Sequence, residues 1–219
     1  IHSGHDNQVM PRECANLPGA ENIEVAGVGH LGMMVSPPML AALQQALAKQ
    51  GLSAEILRSY RRAALDATGN AEKTLRDALG AKKLKELRRQ RHRLEDSGAL
   101  TFSVATTPDS VAAALEDFLA LEASGWKGER GTALVQDEGD AAFIREAAVA
   151  LAARRNLEIV SLTRNGTALA SGLILRDGAA AYFFKIAMDE REARYSPGVQ
   201  LTIDLTRHLC ADPDIGFAD

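Results

Sequence analysis

Between Leu157 and Met188 apolar residues form three nearly continuous blocks, LEIVSLT (157–163), ALASGLILR (168–176) and AAAYFFKIAM (179–188). The breaks between them are Asn165-Gly166 and Asp177-Gly178. Asn-Gly and Asp-Gly supply the positive φ angles that a tight hairpin needs, so the pattern predicts a three-stranded antiparallel meander. Elsewhere the apolar period lengthens to that of a helix. Pro108-Asp109 opens one such run through Val111, Leu115, Phe118, Leu119 and Glu122. A second, Asp140 to Arg155, sets Phe143, Ile144, Ala147, Leu151 and Ala152 on one side. After the meander, Ser196-Pro197-Gly198 opens a helix running to about His208, with Ser at the N-cap and Pro at the first helical position. Upstream, the pattern predicts a short strand over 23–29, a helix over Pro38–Gln50 stopped by Gly51, and an indistinct stretch over 52–62. Two helices follow, Asp66–Gly80 and a strongly basic Lys82–Asp96 stopped by Gly98, then a strand over Leu100–Ala105. Asp214–Ala218 reads as the start of a further strand.

Composition changes this picture in three places. The chain is 46% hydrophobic and 25% charged with a net charge of −4, the balance of a globular protein, and no apolar run reaches the length of a membrane span. Its first residues have neither the basic lead nor the apolar core of a signal peptide. Cys14 and Cys210 stand far apart without metal-ligand spacing, so the expectation is a reduced, cytoplasmic setting and no metal. The charge is unevenly spread: residues 82–93 hold seven Lys/Arg against one Glu, a local +6 that leaves −10 for the rest. No aromatic residue interleaves with these cations. That excludes a generally basic nucleic-acid binder and argues against sequence-specific recognition.

Three stretches, KKLKELRRQRHRLEDSG (82–98), FLALEASGWKGERGTAL (118–134) and KIAMDEREARYSPGVQL (185–201), occur in the order found in a known family. The region from about Arg58 to Asp219 resembles the GNAT (Gcn5-related N-acetyltransferase) superfamily, in its branch named after a cellulose-biosynthesis protein and a BioF2-like domain. The resemblance implies an α/β fold with a mixed, mainly antiparallel sheet flanked by helices, here incomplete at the C-terminus. It implies transfer of an acyl group from acetyl-CoA or another acyl-CoA to an amine, the acceptor being a small molecule or a cell-envelope precursor. The open edge of strand 180–188 would then invite a homodimer.

The resemblance also distributes roles. Acyl-CoA would lie against strand 180–188, touching Phe184 and Ile186, with backbone N–H groups near Phe184 to Ala187 polarising the thioester carbonyl. Its pyrophosphate would meet the helix start at Ser196, Pro197, Gly198 and Val199. YSPGVQL departs here from the Gly-richer loop usual in the family. Glu122 or Asp189 would position the amine, and Tyr195 would give a proton to the departing thiolate. Lys185, expected on one sheet face with Phe183 and Ala187, would contact an anionic part of cofactor or substrate. Each residue also has a plainer role. Lys185 could face water or pair with Asp189, Glu122 could be a helix-surface charge, and Tyr195 could pack on the helix. Trp126 could anchor its loop in the core or line the acceptor pocket. Arg191 and Arg194 could reach phosphates or sit in solvent. Lys82, Lys83, Arg89 and Arg93 of the basic helix could contact an anionic ligand, bind a partner in a non-catalytic domain, or serve solubility.

Residues 1–50 fit that family poorly. SGHDNQVMP (3–11) and VAGVGHLGMMVSP (25–37) resemble the C-terminal tail of an α/β-hydrolase, with Asp6 as triad acid and His30 as triad base. No G-x-S-x-G elbow is present to supply the nucleophile, so hydrolase activity is not expected from this sequence. The expected division is therefore 1–50 and 51–219.

Overall fold

The computed structural model describes residues 22–25, 37–52 and 63–219. The chain divides into two compact units, Ile1–Ala63 and Ala64–Asp219. Within the first, Glu24 makes an isolated bridge and helix α1 spans Pro37–Lys49, ending at the Gln50-Gly51 turn as the glycine predicts. The rest of the strand expected over 23–29, and with it Asp6 and His30, lies outside the described residues.

The second unit carries the meander. Along the chain come β1 (Leu65–Asp66), α2 (Ala71–Glu95), β2 (Leu100–Ala105), α3 (Pro108–Ser124), the short α4 (Trp126–Glu129) and α5 (Glu138–Ala153). Then follow β3 (Leu157–Arg164), β4 (Thr167–Asp177), β5 (Ala180–Met188), α6 (Pro197–Ala211) and β6 (Phe217–Ala218). They form one six-stranded sheet in the order β1-β6-β5-β4-β3-β2, antiparallel throughout except for β5 with β6. At the first hairpin Asn165 and Gly166 both have positive φ, 50° and 82°. That is the mirror-image turn whose twist matches paired strands.

Helices cover both faces. On one side α3 and α5 bury Val111, Leu115, Phe118, Leu119, Ile144 and Ala148 against Ile159, Leu173 and Ala187. On the other, α6 brings Leu201, Leu205 and Leu209 onto Val160, Leu162 and Ile174. Leu75, Leu84 and Leu87 of α2 close over Ile203 of α6. Each buried Val, Leu, Ile or Phe among these contributes about 1.5–3 kcal/mol over exposure. Helix α3 starts where its signal predicts: Thr107 and Ser110 form a reciprocal capping box around Pro108.

Several expectations are corrected. The helix expected from Asp66 begins at Ala71, because Asn70 caps it and the Asp66 carboxylate instead accepts from the N–H and hydroxyl of Thr68, holding a turn after β1. The division expected between the two helices is present: Gly80 (φ 74°, ψ 157°) interrupts α2, so two helical stretches meet there at an angle. Phe143, placed on the apolar side of its helix, is 70% exposed, since α5 buries Ala141, Ile144, Ala148 and Ala152 instead. Ser196 stands at the start of α6 but does not cap it with its side chain. Its backbone is left-handed (φ 55°, ψ 53°) and its N–H closes the preceding 3-10 turn on Ala193 O at 2.9 Å. The residue that ends one helical segment cannot also take the extended conformation from which a serine caps the next.

Candidate functional site

The site begins with an irregularity in β5. Lys185 pairs with Leu173 and Phe183 with Ile174, so Phe184 is an extra residue, a β-bulge, and is 52% exposed. A bulge shifts the two-residue alternation by one. Lys185 therefore does not share a face with Phe183, as strict alternation predicts. Phe183 and Ile186 lie with the α6 core, whereas Lys185 and Ala187 face α3. Parallel pairing with β6 joins Ala180 to Phe217 and Ala181 to Ala218, and Phe183 N donates to Asp219 O at 2.7 Å.

What Lys185 meets on the α3 side is Glu122. This carboxylate is a buried group, its side chain 1% exposed, and no surface charge. One oxygen accepts from Lys127 Nζ (3.0 Å) and Lys185 Nζ (3.1 Å), the other from Leu134 N (3.0 Å). Burial pushes the Glu122 pKa up, yet the Leu134 N–H and the two ammonium groups outweigh it and hold it below the usual carboxylate range. Lys127 also donates to Ile186 O at 3.1 Å, tying the end of α3 to β5 just past the bulge. Sequence reasoning missed Lys127 and Leu134. Their only signal was membership of the WKGERGTAL stretch, because the contact joins residues 59 positions apart.

Lys127 can reach there because α4 turns back sharply. At Gly128 any Cβ would overlap the Ala123 carbonyl, so glycine alone permits this close approach of α4 to the end of α3. Trp126, at the first position of α4, is 48% exposed and not a core anchor. Its N–H donates to Glu190 Oε1 at 2.9 Å, and the Arg130 guanidinium stands 5.1 Å from its ring centre. Between these parts lies a cleft of about 180 Å³, lined by Leu121, Glu122, Trp126, Ile186, Met188 and Glu190 among others.

Of the predicted catalytic and cofactor-binding residues, Glu122 and Ile186 line this cleft and the others are not in its lining. Asp189 is buried but committed to Arg191, accepting from its N–H and guanidinium (2.8–3.0 Å), which holds its pKa below the ordinary value. Its own N–H reaches Leu169 O at 2.8 Å. Asp189 is thus not paired with Lys185. Tyr195 carries the Arg194 guanidinium 4.6 Å above its ring and is not among the residues lining the cleft. Arg191 is solvent-facing apart from its bond to Asp189. Pro197 and Gly198 are buried at the start of α6, where a Cβ on Gly198 would stand 3.4 Å from both Ile186 Cδ1 and Met188 Sδ. The N–H groups of Gly198 and Val199 precede the first helical bond, from Gln200 N to Ser196 O at 3.0 Å. The structure thus sets Lys185 against Glu122 on the α3 side of β5 and the α6 start against Ile186 and Met188, while Asp189 and Tyr195 join neither group. Among the described residues no three His, Cys, Asp or Glu groups converge as a metal site. Nor is any described helix long and apolar enough to cross a membrane.

No curated protein matches the chain. Among solved structures it is similar to a conserved protein of unknown function from Bacteroides thetaiotaomicron VPI-5482, at 15% identity and a TM-score of 0.46. That match covers 83% of this chain and 56% of the other, so the chain spans little more than half of that protein's length. The family whose sequence profile it matches is described as an acetyltransferase (GNAT) domain, over residues 81–217, from the basic stretch of α2 to the first residue of β6. A match over that length, on a bulged antiparallel meander leading into α6, means that the chain belongs to the GNAT acetyltransferase domain family.

Proposed function

We propose that the cleft at the end of β5 is the reaction site of an acyl-CoA-dependent N-acyltransferase. The observation that carries this reading is the seating of the α6 start against Ile186 and Met188, just past the Phe184 bulge. A thioester laid along that stretch would find β5 N–H groups for its carbonyl oxygen. Its pyrophosphate would meet the unbonded Gly198 and Val199 N–H groups at the positive end of α6. The amine would enter from the Trp126 side. Its nitrogen forms the C–N bond as the C–S bond breaks, and the amine proton leaves with the thiol.

Glu122 acts here as a positioning residue. An ionised carboxylate already accepting three hydrogen bonds is a weak proton acceptor, but it fixes both lysines and, through Lys127, the Ile186 carbonyl. The cleft of about 180 Å³ suits a short acyl chain rather than a long one.

Calorimetric titration with acetyl-CoA and CoA tests the reading, with Val199→Glu as the diagnostic variant. Val199 is exposed in the first turn of α6, where an added carboxylate favours the helix but repels a pyrophosphate. The expected result is binding by the wild type and an affinity about tenfold lower in the variant, at unchanged stability. Absence of heat at about millimolar acetyl-CoA would overturn the proposal.

A further inference from the structure

Helix α2 presents two chemically different sides. Leu84, Leu87 and Leu94 face inward, and Arg91 turns in with them to bond Asp204 at 2.8 Å. Opposite, at helical spacing, Lys82, Lys85, Arg89 and Arg93 all face solvent. The two carboxylates of this stretch sit on its flanks and are occupied there, Glu86 by Lys83 (3.1 Å) and Glu95 by Arg91 and His92 (3.4 and 3.1 Å). Among the described residues none forms an ion pair with the four outward cations, which leaves a row about 16 Å long with Glu86 at its edge.

The row lies on the outer side of α2, the helix whose inner side carries the start of α6. Helix α2 packs against the 190–195 turn and against α6, and Leu87 O accepts from Gln200 Nε2 in the first turn of α6 at 2.9 Å. Of these, the start of α6 is the element that would hold the pyrophosphate. We infer that the row docks a small acidic carrier protein that delivers the acyl group on a phosphopantetheine arm, the same arm that CoA carries. The inference rests on the acyltransferase reading and names its donor.

Charge and shape favour this partner over other polyanions. Outside residues 82–93 the chain carries −10, which confines the attraction for an anionic partner to this one row and so to a partner no longer than it. A membrane-surface helix shows apolar residues beside its cations. The exposed large apolar residues of this unit, among them Phe143, Phe184 and Phe217, are all off α2. Single-stranded nucleic acid needs stacking aromatics along the basic track, and α2 has none.

The test titrates the chain with five probes: acyl-loaded acyl carrier protein, the same carrier lacking its arm, acetyl-CoA, phosphatidylglycerol vesicles and duplex DNA. Both carrier forms are expected to bind, the acyl-loaded one more tightly, and to weaken at least about tenfold in Lys85→Glu/Arg89→Glu. Raising salt to about 0.3 M should weaken them similarly. Acetyl-CoA affinity should stay within about twofold of wild type. A second pair, Lys82→Glu/Arg93→Glu, with circular dichroism on both, separates lost docking from lost folding. No binding of the armless carrier, or binding indifferent to both reversals, overturns the inference. Tighter stripe-dependent binding to vesicles or DNA overturns it too. Carrier binding without acetyl-CoA binding supports the docking row while sinking the CoA assignment of the preceding section.

Discussion

The protein holds two groups of cations that read alike in sequence and differ entirely in the fold. Lys127 and Lys185 converge on one buried carboxylate, whereas Lys82, Lys85, Arg89 and Arg93 stand in water with no ion pair to a described residue. In the first group the Coulomb interaction acts at low effective dielectric, so removing one partner strands a charge. In the second each charge is solvated, and its value lies in what it attracts from outside. The difference teaches that a lysine's contribution is set by its surroundings. The first group stabilises and shapes, the second recruits.

The sharpest way to break that contrast is Glu122→Ala. Two partly buried ammonium groups lose their counter-charge and Leu134 N its acceptor, so the unfolding free energy in a urea titration should fall by about 3–5 kcal/mol. A fall below about 1 kcal/mol would mean that the cluster behaves like a surface pair. Lys127→Met should cost less, about 1.5–3 kcal/mol, and more than Lys185→Met, because Lys127 also holds Ile186 O. Equal losses would show that the bond to β5 is immaterial.

Acid should expose the same cluster. The folded-state pKa of Glu122 is depressed, so its stabilisation is complete above its unfolded value of about 4.3 and is lost as pH falls through the folded value. Asp189 behaves in the same sense through Arg191. Thermal melts of wild type should therefore decline below about pH 4, and Glu122→Gln should decline less steeply because it has no such proton to take up. An unchanged acid slope in Glu122→Gln would place the acid sensitivity elsewhere. The smallest effect belongs to the stripe: Lys85→Glu/Arg89→Glu should change stability by no more than about 0.5 kcal/mol by chemical denaturation. A larger loss would reveal a structural role for that face.

Much of the fold was legible along the chain. The Asn165-Gly166 and Asp177-Gly178 turns fix the meander by local backbone preference, and Thr107 with Ser110 fixes the start of α3 by local hydrogen bonding. The site was legible only in part. Glu122, Lys185 and the α6 start were named from the family pattern, but their arrangement was not. Strict alternation put Lys185 beside Phe183, and one extra residue at Phe184 moved it to the opposite face. Phe143 misled in the same way, since periodicity marks a face but not its centre.

The sequence by itself determined the three strands of the meander, their turns, the start of α3 and the concentration of positive charge on α2, all of them properties of neighbouring residues. Only the tertiary structure decided that Glu122 would be buried, that Lys127 and Lys185 would share it, and that the start of α6 would stand against Ile186 and Met188. Those contacts join positions up to 63 residues apart, and their existence depends on where a bulge and a close helix turn place the backbone. No local propensity encodes that placement; it follows from packing two helical layers onto one sheet.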